Sequence, residues 1–224
     1  MSCIINIDTA EAAAHVTVAK EGVVLHALQQ ATQKDHAAFV QTAVQELLAR
    51  TSLSFNDIDA VAVTAGPGSY TGLRVGMASA KGLCFALDKP LITLNTLEVL
   101  TKAVLLGQPG IAAETLYCPM MDARRMEVFT AIYDQELTAL LPPMALVLDE
   151  NAYAEYLSRY KILFFGTGSA KWQAACKNTN ASFTTISNSA AAMAALSFMY
   201  WQQKNFANLA YVTPFYIKEF KTNT

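Results

Sequence analysis

Two carboxylates of this chain fall in turns after apolar runs, a setting in which an Asp can serve as a metal ligand or as a local hydrogen-bonding residue. Asp8 and Asp122 each follow a short apolar run, in the turns Asp8-Thr9-Ala10-Glu11 and Asp122-Ala123-Arg124. A carboxylate so placed can hold a metal ion while glycine N–H groups beside it receive phosphate. Neither turn contains glycine, so the residues themselves favour an Asp that hydrogen-bonds its own backbone. A third candidate, Gly166-Thr167-Gly168-Ser169-Ala170-Lys171, follows an apolar run and opens a helix. An anion fits there, and a capped turn explains the pattern equally well. Asp8, Thr9, Asp122, Arg124, Gly166 and Gly168 are the candidate nucleotide or anion residues, with Arg125 beside them as a second exposed hairpin arginine.

Nothing else nominates a reaction. The histidines are His15, His26 and His36; the first two fall in expected strands, and a lone His36 cannot hold a divalent ion as a pair would. Cys3, Cys84, Cys118 and Cys176 are far apart with no C-x-x-C pair, which suits reduced thiols in the cytoplasm and argues against a zinc site or disulfides. No Ser, His, Asp set or Cys, His pair is local enough to suggest a nucleophile. No catalytic residue and no metal ligand is assigned.

The stretch that organises the chain is Thr64-Ala65-Gly66-Pro67-Gly68-Ser69-Tyr70-Thr71-Gly72-Leu73-Arg74. Ala60 to Ala65 reads as a buried strand, Gly66-Pro67-Gly68 as a turn, and Ser69 as the N-cap of a helix reaching Leu87. Neither the Walker nor the dinucleotide glycine pattern is present, so a packing loop is favoured over a phosphate site. In the helix, Leu73, Met77, Ala80, Cys84 and Leu87 form an apolar stripe. Gly72, Gly76, Ala80 and Cys84 put a small residue at every fourth position, so that another backbone can come close. With so few charges the helix needs cover on more than one side, and a second helix from this chain or a partner is the simplest cover.

Around it, strands are expected at Ile4 to Asp8, Val16 to Lys20 and Val23 to Gln30, then an amphipathic helix from Asp35 to Arg50 with Phe39, Val40, Ala43, Val44, Leu47 and Leu48 on its apolar face. Leu91 to Leu94 and a helix from Thr96 to Leu106 close the first half. After Gly107-Gln108-Pro109-Gly110 the order repeats: strands at Leu116 to Met121, Met126 to Tyr133 and Ala145 to Leu148, a helix at Glu150 to Arg159, a strand at Ile162 to Phe165, a helix after Gly168, a short strand near Phe183, and a helix from Ser189 to Gln203. The class is α/β, with expected domains 1–106 and 107–224.

The chain has 224 residues, 53% of them hydrophobic and only 15% charged, which predicts a large core and little charge to cover the outside. A net charge of −2 without a basic run disfavours independent nucleic-acid binding. Its most apolar stretch, Ala190 to Trp201, is too short to span a bilayer, so a soluble cytoplasmic protein is expected.

Gly66 to Arg74, continuing through Gly76 and Ala80-Lys81-Gly82 to Pro90, resembles the signature of the TsaB (YeaZ) family, proteins needed for threonylcarbamoyl modification of tRNA. Ile4 to Thr9, Cys118 to Thr130 and the closing Pro214-Phe215-Tyr216-Ile217-Lys218 agree with it. The resemblance implies the duplicated actin/sugar-kinase/Hsp70-like fold, with two mixed-sheet lobes flanked by helices. It implies a noncatalytic subunit that binds the catalytic TsaD through helices 35–50 and 69–87, with the ATPase TsaE joining, tRNA held only within the complex, ATP used by the complex and no cofactor bound by this chain alone. A homodimer is expected in the partner's absence. TsaD carries two metal-binding histidines at helical spacing, whereas here Ala37, Ala38, Phe39 and Val40 follow His36. The expected contact residues are His36, Phe39, Val40, Ala43, Leu47, Gly72, Leu73, Arg74, Gly76, Met77, Ala80, Lys81 and Cys84, with Gly76→Leu or Ala80→Arg expected to break the partnership and spare the fold. The alternatives are an ATP-dependent phosphotransferase working in the cleft between the halves, and a glycoprotease-type metallopeptidase.

Overall fold

The computed structural model describes residues 1–31, 35–186 and 189–218. Its elements run β1 (Cys3–Asp8), β2 (Ala14–Lys20), β3 (Val23–Gln30), α1 (His36–Thr51), β4 (Ala60–Gly66), α2 (Tyr70–Leu87), β5 (Leu91–Asn95) and α3 (Thr96–Gly107). The order then recurs as β6 (Leu116–Asp122), β7 (Glu127–Tyr133), β8 (Ala139–Val147), α4 (Ala154–Leu157), β9 (Ile162–Phe165), α5 (Ser169–Gln173), β10 (Ala181–Phe183) and α6 (Ser189–Gln202). The two five-stranded sheets have equivalent orders, β3-β2-β1-β4-β5 and β8-β7-β6-β9-β10, each with an antiparallel meander beside parallel strands. Duplication of element order thus extends to strand pairing.

In the first sheet, β1 is buried on both faces, as the near-continuous apolar run Cys3 to Ile7 requires. Cys3, Ile5 and Ile7 join Val16, Val18, Val61 and Val63 in a core closed by Val40, Val44 and Leu47 of α1 and Met77, Ala80 and Cys84 of α2. α6 covers the sheet from elsewhere in the sequence, against β1, β2, β3 and β5. Its sequence, Ser-Ala-Ala-Ala-Met-Ala-Ala-Leu-Ser-Phe-Met-Tyr-Trp-Gln, has almost no polar side, which suits a helix packed over a sheet.

The chain divides into two compact units, Met1–Val99 with Ser189–Phe215, and Leu100–Asn188 with the residues from Tyr216 onward. This differs from the expected 1–106 and 107–224. Gly107 to Gly110 ends a helix rather than a unit, and α6 with the segment after it belongs to the first unit because its apolar surface is buried there. That segment covers the β5 edge, where the Ala207 N–H donates to the Leu91 carbonyl at 2.8 Å, and reaches β4, where the Phe215 N–H donates to the Ala65 carbonyl at 2.7 Å.

Two elements of the second unit depart from expectation. β8 begins at Ala139 rather than Ala145 and includes Pro142 and Pro143. It is an edge strand, where a missing N–H need leave no ladder bond unmade. The helix expected over Glu150 to Arg159 is a single turn, Ala154–Leu157, because Asp149 captures the Asn151 N–H at 2.9 Å and Tyr153 is left-handed at φ 61°.

Candidate functional site

α1 and α2 lie side by side on the first sheet, so the second helix needed to cover α2 comes from this chain. Ser69 caps α2, accepting the Gly72 N–H at 3.3 Å. The expected contact residues mostly point inward. Val40, Ala43, Leu47, Leu73, Met77, Ala80 and Cys84 are at most 3% exposed, and His36, Gly72 and Gly76 are buried too. These ten serve the core of this chain and cannot also form a contact face, since the inward stripe of a helix is the one its own sheet occupies. Phe39 is half-buried, and Lys81 is held by the Val212 carbonyl at 3.2 Å. Arg74 remains outside, its guanidinium carbon 4.0 Å from the centre of the Tyr70 ring.

The small residues do admit a backbone, and it is the chain's own. The β1–β2 turn sits on the N-terminal half of α2: Thr9 Oγ1 donates to the Gly72 carbonyl at 2.8 Å, and the Ser69 N–H donates to the Ala10 carbonyl at 2.7 Å. A methyl on Gly72 would run into the Thr9 carbonyl, and one on Gly76 into Thr9 Oγ1. Thr9 is fully buried. Asp8 Oδ1 accepts the Thr64 hydroxyl at 2.8 Å and the Ala10 N–H at 3.0 Å, which makes it the turn-organising carboxylate that the residues favoured.

The second unit repeats the device. Gly168 donates its N–H to the Met120 carbonyl at 2.8 Å, and a methyl there would stand 2.6 Å from Val128 Cγ1. A methyl on Gly166 would stand 2.5 Å from the Met120 carbonyl oxygen. These glycines bring the β9–α5 turn against β6, and the Thr167 hydroxyl accepts the Asp122 N–H at 3.2 Å. Lys171 Nζ donates to Asp122 Oδ1 at 2.8 Å, to the Arg125 carbonyl at 2.8 Å and to the Glu127 carbonyl at 2.6 Å. That ammonium, with the Arg124 N–H at 2.7 Å, holds the Asp122 carboxyl below its usual range. Of the candidate anion residues, Thr9, Gly166 and Gly168 are taken up in packing, Asp8 and Asp122 in hydrogen bonds, and Arg124 is exposed.

Sequence reasoning missed the outward face of α2. Thr71, Ala78, Gly82 and Phe85 are exposed and Val75 half-buried, at spacings of four, three, four and three that make one straight seam. Phe85 is 83% exposed, and nothing lies within 4 Å of a methyl placed on Gly82. Beside the seam, α1 exposes Ala38, Gln41, Thr42, Gln45 and Ala49. A phenylalanine off the inward stripe was the available signal. Among the described residues no cluster of three His, Cys, Asp or Glu side chains could hold a metal ion, and no helix is long and apolar enough to cross a membrane.

Comparisons with known proteins converge. The family model for TsaD, tRNA N6-adenosine threonylcarbamoyltransferase, matches residues 17–224. The tRNA threonylcarbamoyladenosine biosynthesis protein TsaB of Bacillus subtilis is 32% identical over 169 residues, 73% of this chain and 70% of that one. The structure of YeaZ from Pseudomonas aeruginosa superposes with a TM-score of 0.78 at 23% identity, covering 96% of this chain and all of that one. An inorganic polyphosphate/ATP-glucomannokinase from an Arthrobacter species superposes at 0.56 with 15% identity over 90% of this chain and all of its own. These two superpositions place the duplicated sheets in the actin/sugar-kinase class of folds.

Proposed function

The chain belongs to the TsaB (YeaZ) family of tRNA threonylcarbamoyladenosine biosynthesis proteins, and from that premise we propose that it is a noncatalytic subunit which docks a TsaD catalytic subunit through the outward faces of α1 and α2. The observation that carries the docking face is the seam from Thr71 to Phe85. An 83%-exposed phenylalanine beside Ala78, Gly82 and Ala86 is an anchor set among small residues, the arrangement that a closely crossing partner helix fills. Arg74, exposed on the same helix between Thr71 and Val75, lies at its border and supplies a polar rim. TsaE joins the pair on this reading, tRNA is engaged only in the assembly, and the same seam pairs with itself when TsaD is absent.

A noncatalytic role agrees with the closed turns. Backbone that would have to approach a phosphate is already packed on glycine, with Thr9 against Gly72 and Gly76, and Met120 against Gly166 and Gly168. ATP is on this reading a reactant of the assembled machinery rather than a ligand of the lone chain.

Light scattering behind size-exclusion chromatography, for the chain alone and mixed with TsaD from the same cell, tests the proposal. A one-to-one species that Ala78→Arg abolishes supports it. No complex with or without ATP, or magnesium-dependent ATP turnover by the isolated chain, overturns it.

A further inference from the structure

The β6–β7 hairpin ends in Arg124 and Arg125, both exposed and both in the left-handed region at φ 69° and 50°. L side chains other than Asn and Asp enter that region at a cost, and two in succession are costlier still. The tip is nevertheless held firmly, because Lys171 ties the Arg125 and Glu127 carbonyls together from beneath. The hairpin's acidic groups are both engaged by other cations, Asp122 by Lys171 at 2.8 Å and Glu127 by Lys218 at 2.5 Å. Among the described residues neither arginine side chain makes an ion pair or a hydrogen bond. Two guanidinium groups are therefore presented with their charge uncompensated, on a braced turn, in a chain of net charge −2 that lacks any basic run.

We infer that Arg124 and Arg125 are a phosphodiester contact, and that the RNA backbone of the tRNA substrate is what they grip. Guanidinium matches phosphate oxygens in a bidentate manner, and such contacts position a nucleic acid without reading its sequence. Two of them are too few for a chain of this charge to hold RNA unaided, so they serve to orient an RNA whose main affinity comes from the partner subunit. The inference rests on the proposed role in tRNA modification.

The test uses Arg124→Asn with Arg125→Gly, substitutions that settle more readily in the left-handed region and remove both charges. Fluorescence anisotropy follows an unmodified tRNA transcript titrated with the TsaD-containing complex and with the chain alone, from about 0.05 M to 0.2 M salt. In the complex the variant is expected to bind about tenfold more weakly, with a salt slope smaller by about two. It should also melt at or above the wild-type temperature. Equal affinity and equal slope overturn the inference, as does a lower melting temperature, which would make the arginines structural. A DNA duplex of equal length, weakened to the same extent by the variant, would reduce the site to a general anion patch and overturn its assignment to tRNA. Complex formation is read separately by light scattering. Absence of any complex overturns the docking proposal and this inference with it, whereas a complex that forms and binds tRNA equally well with variant and wild type overturns this inference alone.

Discussion

Thr9 and Gly72, 63 residues apart, are fastened to each other: the Thr9 hydroxyl donates to the Gly72 carbonyl at 2.8 Å, and the absence of a side chain on Gly72 lets the Thr9 carbonyl lie against the helix. This contact decides what the glycines of α2 are for. Gly72→Ala or Gly76→Leu is expected to cost about 3 kcal/mol of stability, from the overpacking that follows when a side chain meets fixed backbone. Urea unfolding measures it. Wild-type stability in Gly76→Leu would show that the turn can move aside.

Ala78→Arg and Phe85→Ser act on the opposite side of the same helix. Both positions are exposed, so stability should change by no more than about 0.5 kcal/mol. Affinity for TsaD should fall at least tenfold, roughly the 1.4 kcal/mol or more carried by a central anchor. Calorimetric titration reads this directly, and full affinity in both variants would move the docking face elsewhere.

Glu98, in the first turn of α3, is half-buried and accepts the Tyr200 hydroxyl at 3.0 Å. Burial raises its pKa, and the Tyr200 hydrogen bond offsets part of that rise. An acid whose folded pKa lies above its unfolded value binds its proton more tightly when folded. Its stabilising contribution is complete below the unfolded pKa and is lost as pH rises through the folded one. Glu98→Gln should therefore unfold at higher urea than wild type at neutral pH, with the advantage shrinking on acidification. An advantage independent of pH would refute the ionisation argument.

Lys171→Met removes one ammonium from three acceptors while keeping the length of the apolar stem. A partly buried charged donor shared in this way contributes about 2 kcal/mol. Asp122 supplies a pH signature with the opposite sign from Glu98: its pKa is depressed, so its contribution is present above the unfolded value and fades as pH falls through the folded one. The variant should lose stability at neutral pH and lose the Asp122 part of the acid dependence. Thermal unfolding at pH 7 and pH 3 separates the two effects.

Local signals were legible from the residues. Ser69 as cap, Val23–Gln30 as strand and the strand, turn, helix unit around Gly66 follow from pattern and turn chemistry alone, and the structure reproduces them. The small-residue stripe was legible as a site of close approach. Its occupant was not, because nothing local links Thr9 to a helix 63 residues on, so residues that fill the core were read as a contact face. Periodicity finds the stripe that a helix buries and is silent about the side it leaves open, which is how Ala78, Gly82 and Phe85 escaped notice. Nor does spacing reveal that Lys171 braces a hairpin some 46 residues earlier.

The first unit is assembled from Met1–Val99 and from Ser189–Phe215, with the second unit's chain between them. On a ribosome, then, the sheet β3-β2-β1-β4-β5 is synthesised early, with α1 and α2 in hand, and waits for α6 through the translation of the intervening ninety or so residues, several seconds at about 5–20 residues per second. During that interval the face that α6 covers stays wet and the β5 edge, later closed by Ala207, stays unpaired. The nascent first unit is thus a client for whatever shields exposed sheets in the cell, whereas Leu100–Asn188 emerges as a nearly continuous segment that completes its own sheet on schedule.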